Sequence, residues 1–551
     1  MSEKILQDEK ASGHSSDHEL TPELKEETGP IPQPSFRDFL IHASVSRSNE
    51  ANPHETPIEI ANVRKTEYQR ELDQAHRALR TATWVSIFFL ITTDILGPFN
   101  APFAFSQVGF VPGAILYVVM GGVACFTGLQ LWRLFCKLDS NEFPIKTYGE
   151  LGGRILGKEF KHLCSALQSL QLIINVGVIC LSNAQSVEQL AANHQFCFSV
   201  SVLIWALVGM VLGQVKTLQK YTFFANGAVW INLLIIFTSM GFIAHSAPNF
   251  PAAKAAYGFS AGPVVTKAFV SQPLFDKARR SILILVNGIM NMVFAYGGAM
   301  IFPEFLTEMR RPMDFWKGMV CAQLLICIAY LMYGAFVYSF QGQFTLPLAY
   351  QGVSKQSWQD VGNVLALITG IIAAGLYGNI GIKVAYYNIV EDWFKGPSLN
   401  SRTGRVIWTI MVFVYWSLAF VVGSAIPQVA TVSGLVAAVC IMQFTYTFPP
   451  LMMLGYKMQI AAAGLVEEDA LAIGEAIDMN APSKDPGDTW REWSRWKRGF
   501  FGHKWYINLF NLILFLASLA MACLGMFGSG KAIQQTFLNG AATSFGCTPP
   551  V

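Results

Sequence analysis

Long apolar stretches alternate with short polar ones along the chain. Eleven runs have the length of a bilayer-crossing helix, roughly 20 residues; they fall near 83–108, 111–136, 163–187, 197–215, 222–245, 281–303, 317–340, 360–386, 404–426, 430–456 and 505–528. Two of them are interrupted. In the sixth, Gly297 and Gly298 sit inside the run from Ile282 to Phe302, and Pro303 closes it. Gly lowers helix stability by about 1 kcal/mol against Ala, and Pro removes a backbone donor. The first run has the same spacing, with Gly97 and Pro102 set apart as Gly298 and Pro303 are. Loosened backbone at membrane depth survives only where protein or a water-filled cavity satisfies its polar groups. Paired interruptions in two halves of a chain point to an inverted-repeat transporter and to its binding site.

Charge placement orients the runs. Lys and Arg gather in 64–80, 137–162, 216–220, 310–317, 395–405 and 491–498, whereas 188–196, 341–359 and 427–429 hold only Lys355. Short cytoplasmic loops accumulate such residues, so the amino terminus is expected inside the cell and the carboxyl terminus outside. The segment 246–280 dissents, with Lys254, Lys267, Lys277, Arg279 and Arg280 on the outer side; it is expected to be an ordered cap with its charges paired. Four regions follow: an acidic cytoplasmic tail with a basic juxtamembrane helix over 1–80, a ten-helix core over 81–456, a cytoplasmic loop over 457–504, and the eleventh helix with an outer tail over 505–551. Residues 1–63, with five basic against twelve acidic side chains, are expected to be disordered. In the loop, Trp490, Trp493 and Trp496 recur beside basic residues, the pattern of an interfacial helix. A short surface helix is expected within TYGELGGRILG at 147–157.

A chain of 551 residues that is 52% hydrophobic and 14% charged, with mean hydropathy +0.39, is no ordinary water-soluble protein. It reads as an all-α polytopic membrane protein. The ten cysteines form no CxxC pair, and no phosphate loop or His box occurs, so neither a metal nor another cofactor is implied. Nothing suggests a nucleic-acid partner. Cys197 and Cys547 alone fall on the expected outer side; a bridge between them is allowed but not favoured, because spacing supplies no geometry.

Ionisable groups inside a span are costly and usually functional. Asp94, beside the break at Leu96 to Asn100, could hold an ammonium group or a coupling cation, take up a proton, or cap the half-helix that follows. Glu304, Glu308 and Arg310 follow Pro303 and suit a gate at the inner face. Lys383 reads as a snorkelling lysine. Free ends of broken helices offer N–H groups to a carboxylate and carbonyls to an ammonium. Few charges and apolar rings such as Phe99, Phe294 and Tyr296 then suit a neutral amino acid.

The stretch VFAYGGAMIFPEFLTEMRRPMDFWKG from Val293 resembles the amino acid/auxin permease family, with its Phe-Ala-Tyr block, Pro-Glu, and Met-basic-x-Pro before Phe. APFAFSQVGFVPG at 101–113, TYGELGGRILG at 147–157 and SAIPQVATVSGLVAA at 424–438 support the resemblance. The acidic tail is most similar to the fungal neutral amino acid permease branch. The resemblance implies eleven spans in the five-plus-five inverted repeat of the leucine transporter, and import of amino acids with protons, Na⁺ being the alternative coupling ion. It also implies a site lined by Asp94, Leu96, Gly97, Phe99 and Asn100 with Phe294, Ala295, Tyr296, Gly297 and Gly298, completed by the third and eighth spans. Pro98 and Asn100 depart from the small residues usual before that Pro. A plasma-membrane importer is the leading expectation; a vacuolar exporter and a non-transporting nutrient sensor are the alternatives.

Overall fold

The computed structural model describes residues 34–462 and 492–547, apart from 55, 59–65, 68, 73–79, 96–97, 192–196, 217, 259, 270–277, 426–428, 503 and 539–544. Among the described residues regular structure is helical, and β pairing is limited to isolated bridges.

The first helix corrects the expectation of disorder for its part of the tail. Helix α1 (Phe36–Ala51) opens with a capping box, in which the Ser35 hydroxyl accepts from the Asp38 N–H and the Asp38 carboxylate accepts from the Ser35 N–H at 2.7 Å. Leu40, Ala43 and Val45 are buried, and the rings of Phe36 and Phe39 meet Tyr456 and Phe143 edge-on. Composition averaged over the tail hides such a helix, because its anchor is polar: Arg47 pairs with Asp139 at 3.2 Å and with Glu50 at 2.6 Å. Residues 1–33 and most of the expected basic flank 64–80 lie outside the described residues.

The membrane body follows in order. The first span is divided into α2 (Trp84–Ile95) and α3 (Ala101–Val108), with a 3-10 turn over Pro98–Asn100. Helix α4 (Phe110–Leu138) is the second span, and α5 (Tyr148–Leu156) is the short helix expected after it, its start capped by Thr147; Tyr148, Leu151 and Ile155 bury it against its neighbours, so it is more than a surface element. Then come α6 (Lys158–Leu190), α7 (Phe198–Leu212), α8 (Leu218–Ala244) and the short α9 (Phe250–Tyr257). The sixth span is α10 (Ala278–Ala295), a 3-10 segment over Gly297–Ile301, and α11 (Phe302–Thr307). Helix α12 (Phe315–Gln341) precedes α13 (Gln356–Ala385), which runs on as a π-helix over Tyr386–Trp393. Helix α14 (Arg402–Ala425) is the ninth span; the tenth joins α15 (Val429–Val436) to α16 (Phe448–Ala462) through two π stretches. The Trp-bearing α17 (Trp493–Phe500) and α18 (Trp505–Leu538) complete the chain, with Trp493 and Trp496 exposed and Trp490 outside the described residues.

Among the described residues, eight helices are long and apolar enough to cross a bilayer alone, and the sixth span makes a ninth, bent by 42°. Shorter apolar helices at Trp84–Thr93 and Phe198–Leu212 occupy the places of the first and fourth expected runs. Large apolar side chains stay exposed on the outward faces of the spans, as with Phe223, Trp230, Leu324, Val414 and Ile513. A soluble protein seldom exposes so much apolar surface, and lipid is the solvent that accepts it. Helix α18 docks through a polar and small-residue face instead, where Asn511 accepts from the Gln130 amide at 2.7 Å and Ser518, Ala522 and Ser529 are buried.

Packing follows the pairing of an inverted repeat. The first span meets the sixth, α6 lies against α13, and the contact of α2 with α8 is mirrored by that of α10 with α15. At the end of the bundle that carries α1, the chain entering the first span is tied to the chain leaving the sixth: Ala82 donates to the Glu308 carbonyl at 2.8 Å, and Arg310 N–H donates to the Ala82 carbonyl at 2.9 Å. At the far end, residues 263–268 form a cap. The Gln343 side chain accepts from Val265 N–H at 2.6 Å and donates to the Pro263 carbonyl at 2.9 Å. Phe110 and Val111 donate to the carbonyls of Lys267 and Ala268, both at 3.1 Å. The described part of the expected cap is held through backbone and amide groups; neither Lys254 nor Lys267 forms an ion pair among the described residues, and Lys277 and the Arg279 and Arg280 side chains lie outside them. The same end carries a disulfide between Cys197 and Cys547, the pairing the spacing did not favour. The carboxyl-terminal segment is also held there by Phe198 N–H on the Cys547 carbonyl at 3.3 Å and the Ser199 hydroxyl on the Gly546 carbonyl at 2.8 Å.

Candidate functional site

The sixth span breaks where its residues cannot sustain a helix. Tyr296 ends α10, the Gly298 N–H bonds back to the Tyr296 carbonyl at 3.1 Å, and Pro303 occupies the first turn of α11, where its missing donor costs nothing. In the first span α2 ends at Ile95, and Pro102 occupies the first turn of α3. Leu96, Gly97 and the Asp94 side chain lie outside the described residues.

Between the two breaks lies a cavity of about 210 Å³. One water needs roughly 10–15 Å³ on this scale, so the space admits a small organic molecule. Phe99, Asn100, Phe294, Ala295, Gly297 and Gly298 all line it. Tyr296 does not: its ring is buried against Tyr117 and Tyr330, and its hydroxyl donates to the Tyr117 carbonyl at 2.9 Å. Phe99 stands edge-on to Tyr350, with ring centroids 5.1 Å apart, at the side nearer the far end. Helices α6 and α13 supply facing walls, with Asn175, Ser182 and Asn183 opposite Thr369, Gly370 and Tyr377.

Among the described residues the lining holds no Asp, Glu, Lys, Arg or His, yet it holds five asparagines, Asn100, Asn175, Asn183, Asn232 and Asn291. Buried amide atoms of four of them, Asn100 Oδ1, Asn175 Oδ1, Asn183 Nδ2 and Asn291 Oδ1, have no hydrogen-bond partner. An unsatisfied buried polar atom costs about 1–3 kcal/mol. Three acceptors and a donor around one space therefore favour a ligand that carries both kinds of group. Of these amides the sequence singles out only Asn100; the other four are missed because, inside the spans, ionisable residues alone are weighed as polar candidates. The signal was present, because Asn175, Asn183, Asn232 and Asn291 each fall inside an apolar run.

Toward the α1 end the cavity is closed by a layer of ion pairs, most of them buried. Glu308 pairs with Lys383, each side chain 6% exposed, so Lys383 is an interior partner and not a lysine reaching for the surface. Asp139 is fully buried and accepts from Arg80 at 2.9 Å as well as from Arg47. Lys146 pairs with Glu391 at 3.0 Å, and Lys161 with Asp392. Glu304 lies beside this layer and accepts from neutral donors, the Gln168 amide at 2.7 Å and Tyr148 N–H at 3.0 Å. The Arg310 side chain is exposed; of the three residues singled out after Pro303, only the two carboxylates reach the interior.

A helical bundle with a polar cavity where two spans come apart has the build of a multi-pass membrane transporter. The chain belongs to the transmembrane amino acid transporter protein family, whose pattern matches residues 80–463. It is similar to the N amino acid transport system protein of Neurospora crassa, 26% identical over 393 residues that cover 69% of this chain and 78% of the relative. A transmembrane transporter of Fusarium pseudograminearum is 22% identical, over 70% and 78% of the two chains. The lysine histidine transporter-like 3 protein of Arabidopsis thaliana is 22% identical over 46% of this chain and 55% of its own.

Proposed function

We propose that this chain is a secondary active symporter that carries neutral amino acids with protons into the cell across the plasma membrane. The observation that carries the reading is that the described residues lining the cavity at the two breaks are uncharged and rich in amides. A free amino acid brings its own pair of opposite charges. The ends of α2 and α10 offer carbonyls to the ammonium, the starts of α3 and α11 offer N–H groups to the carboxylate, and the asparagine amides supply further acceptors and a donor. A charged substrate side chain would need a counter-charge that the described lining lacks, so a neutral one is favoured. Phe99, Phe294 and Tyr330 supply apolar surface for it.

The ion-pair layer supports a state closed toward the cytoplasm, and the disulfide supports a non-cytoplasmic far end, since such bonds persist in oxidising compartments. Asp94, at the end of α2, is a proposed partner of the ammonium group. The test is uptake of a panel of radiolabelled amino acids by a transporter-deficient host at two pH values, alongside microscopy of a tagged copy. Acid-stimulated uptake of neutral amino acids with the tag at the cell surface is expected. Uptake confined to cationic amino acids, or no uptake with the tag at the surface, would overturn the reading.

A further inference from the structure

Glu304 lies in α11, within two turns of the Gly297–Gly298 break, and is 6% exposed. Its Oε1 accepts from Gln168 Nε2 and from Tyr148 N–H. Its Oε2 is buried and has no hydrogen-bond partner, and no cation pairs with the carboxyl among the described residues. The charged and titratable groups around it come from several elements. Helix α5 offers Tyr148 and Glu150, and α6 offers Cys164 behind Tyr148. A crevice of about 20 Å³ beside the carboxyl is bordered by Arg80, Lys146, Glu308, Lys383 and Tyr387, and α4 contributes nothing to it. Its three cations are each bound to another acid, Arg80 to Asp139, Lys146 to Glu391 and Lys383 to Glu308.

An ionised carboxylate with one oxygen stripped of every donor is poorly accommodated in a protein interior, whereas a protonated one leaves a neutral hydroxyl there. The same carboxyl is joined to the broken backbone. Gln168 Nε2 donates both to Glu304 Oε1 and to the Met300 carbonyl, at 2.7 and 2.9 Å, and Met300 belongs to the 3-10 segment of the break. The crevice holds about one water and lies in the ion-pair layer that would part when the α1 end opens.

We propose that Glu304 is a proton-binding site of the transport cycle. In the closed state described here it holds a proton taken from water on the far side. When the Glu308–Lys383 layer parts, Glu304 releases that proton to water at the α1 end, and Gln168 transmits the change of charge to the break.

The inference rests on the proton-coupled reading above, and one assay separates the two. The full-length protein is reconstituted in phospholipid vesicles, and radiolabelled alanine and leucine are followed with an imposed pH gradient and, separately, in exchange at equal pH. With one proton per substrate, each unit of pH gradient supports about tenfold accumulation. Glu304→Gln keeps an acceptor for Tyr148 and Gln168 and fixes the protonated shape, so exchange should persist while gradient-driven accumulation disappears. Accumulation and a pH profile equal to those of the unaltered protein would overturn the inference. An unaltered protein that exchanges substrate but ignores the gradient would sink the coupling reading itself. Should Glu304→Gln lose exchange as well, Glu304→Asp decides. A restored response to the gradient, displaced along the pH axis, supports the site, and continued silence makes Glu304 a packing residue.

Discussion

Glu308, at the end of α11, and Lys383, in α13, form an ion pair that buries both side chains at the α1 end of the bundle. Seventy-five residues separate them in sequence, and the contact joins the second half of the broken sixth span to the eighth. Removing one partner of a buried pair strands the other charge, at a cost of about 3–5 kcal/mol. Glu308→Ala and Lys383→Ala should each lower the thermal unfolding midpoint of the detergent-solubilised protein markedly, and the double variant should lose less than the sum. Additive losses in that cycle would show that the two side chains do not interact.

The cavity walls leave no room at two glycines. A methyl group at Gly370 would run into the Asn183 side chain, and one at Gly297 would lie 2.8 Å from Ile441 Cδ1. Gly370→Val and Gly297→Val should reach the membrane in ordinary amount yet reduce amino acid uptake by roughly tenfold or more, since about 1.4 kcal/mol of lost binding is tenfold. Surface labelling with uptake on the same cells checks this; full uptake in Gly370→Val would remove Asn183 from the site.

The disulfide gives a direct test of topology. A membrane-impermeant maleimide applied to intact cells should label the protein through Cys197 and Cys547 only after mild reduction. Cys321 and Cys523, exposed on apolar faces of α12 and α18, should stay unlabelled behind lipid. Cys197→Ser should leave Cys547 reactive without reduction. Labelling that requires permeabilised cells would place this end in the cytoplasm.

Helix α1 should behave as a docked element and not as a tail. Arg47→Ala removes hydrogen bonds to Asp139 and Glu50, and hydrogen bonds to charged groups are worth about 1.5–3 kcal/mol. Faster hydrogen exchange across residues 36–51 is the expected readout. Docking should also depend on pH. Burial raises the Glu50 carboxyl above its ordinary value, against the opposing pull of Arg47, the Met313 N–H and Arg311 and with a small push from Asp314. The docked form thus binds the proton more tightly. The stabilisation is complete below the ordinary value of 4.5 and is lost as pH rises through the raised one. Glu50→Gln should flatten that dependence, and an unchanged pH profile of exchange would argue against it.

The all-helical membrane class, the two breaks and the family likeness were legible along the chain because each is local. A run of apolar residues either matches the bilayer or does not, and Gly297, Gly298 and Pro303 weaken a helix wherever it lies. The residues that meet at a site are a different matter. Asn100, Asn175, Asn183, Asn232 and Asn291 come from four spans, and Lys383 looks like a surface lysine until Glu308 is brought against it. The order of α1 is similarly hidden, since Arg47 finds Asp139 only after the second span has folded. Cys197 and Cys547, 350 residues apart, are neighbours only when α7 and the chain terminus reach the same end of the bundle. The sequence by itself thus determined the membrane-spanning rods and the points where two of them fail. Tertiary structure alone decided which polar side chains face one another, because hydropathy and helix propensity act over a few turns, whereas partner choice depends on packing between distant helices.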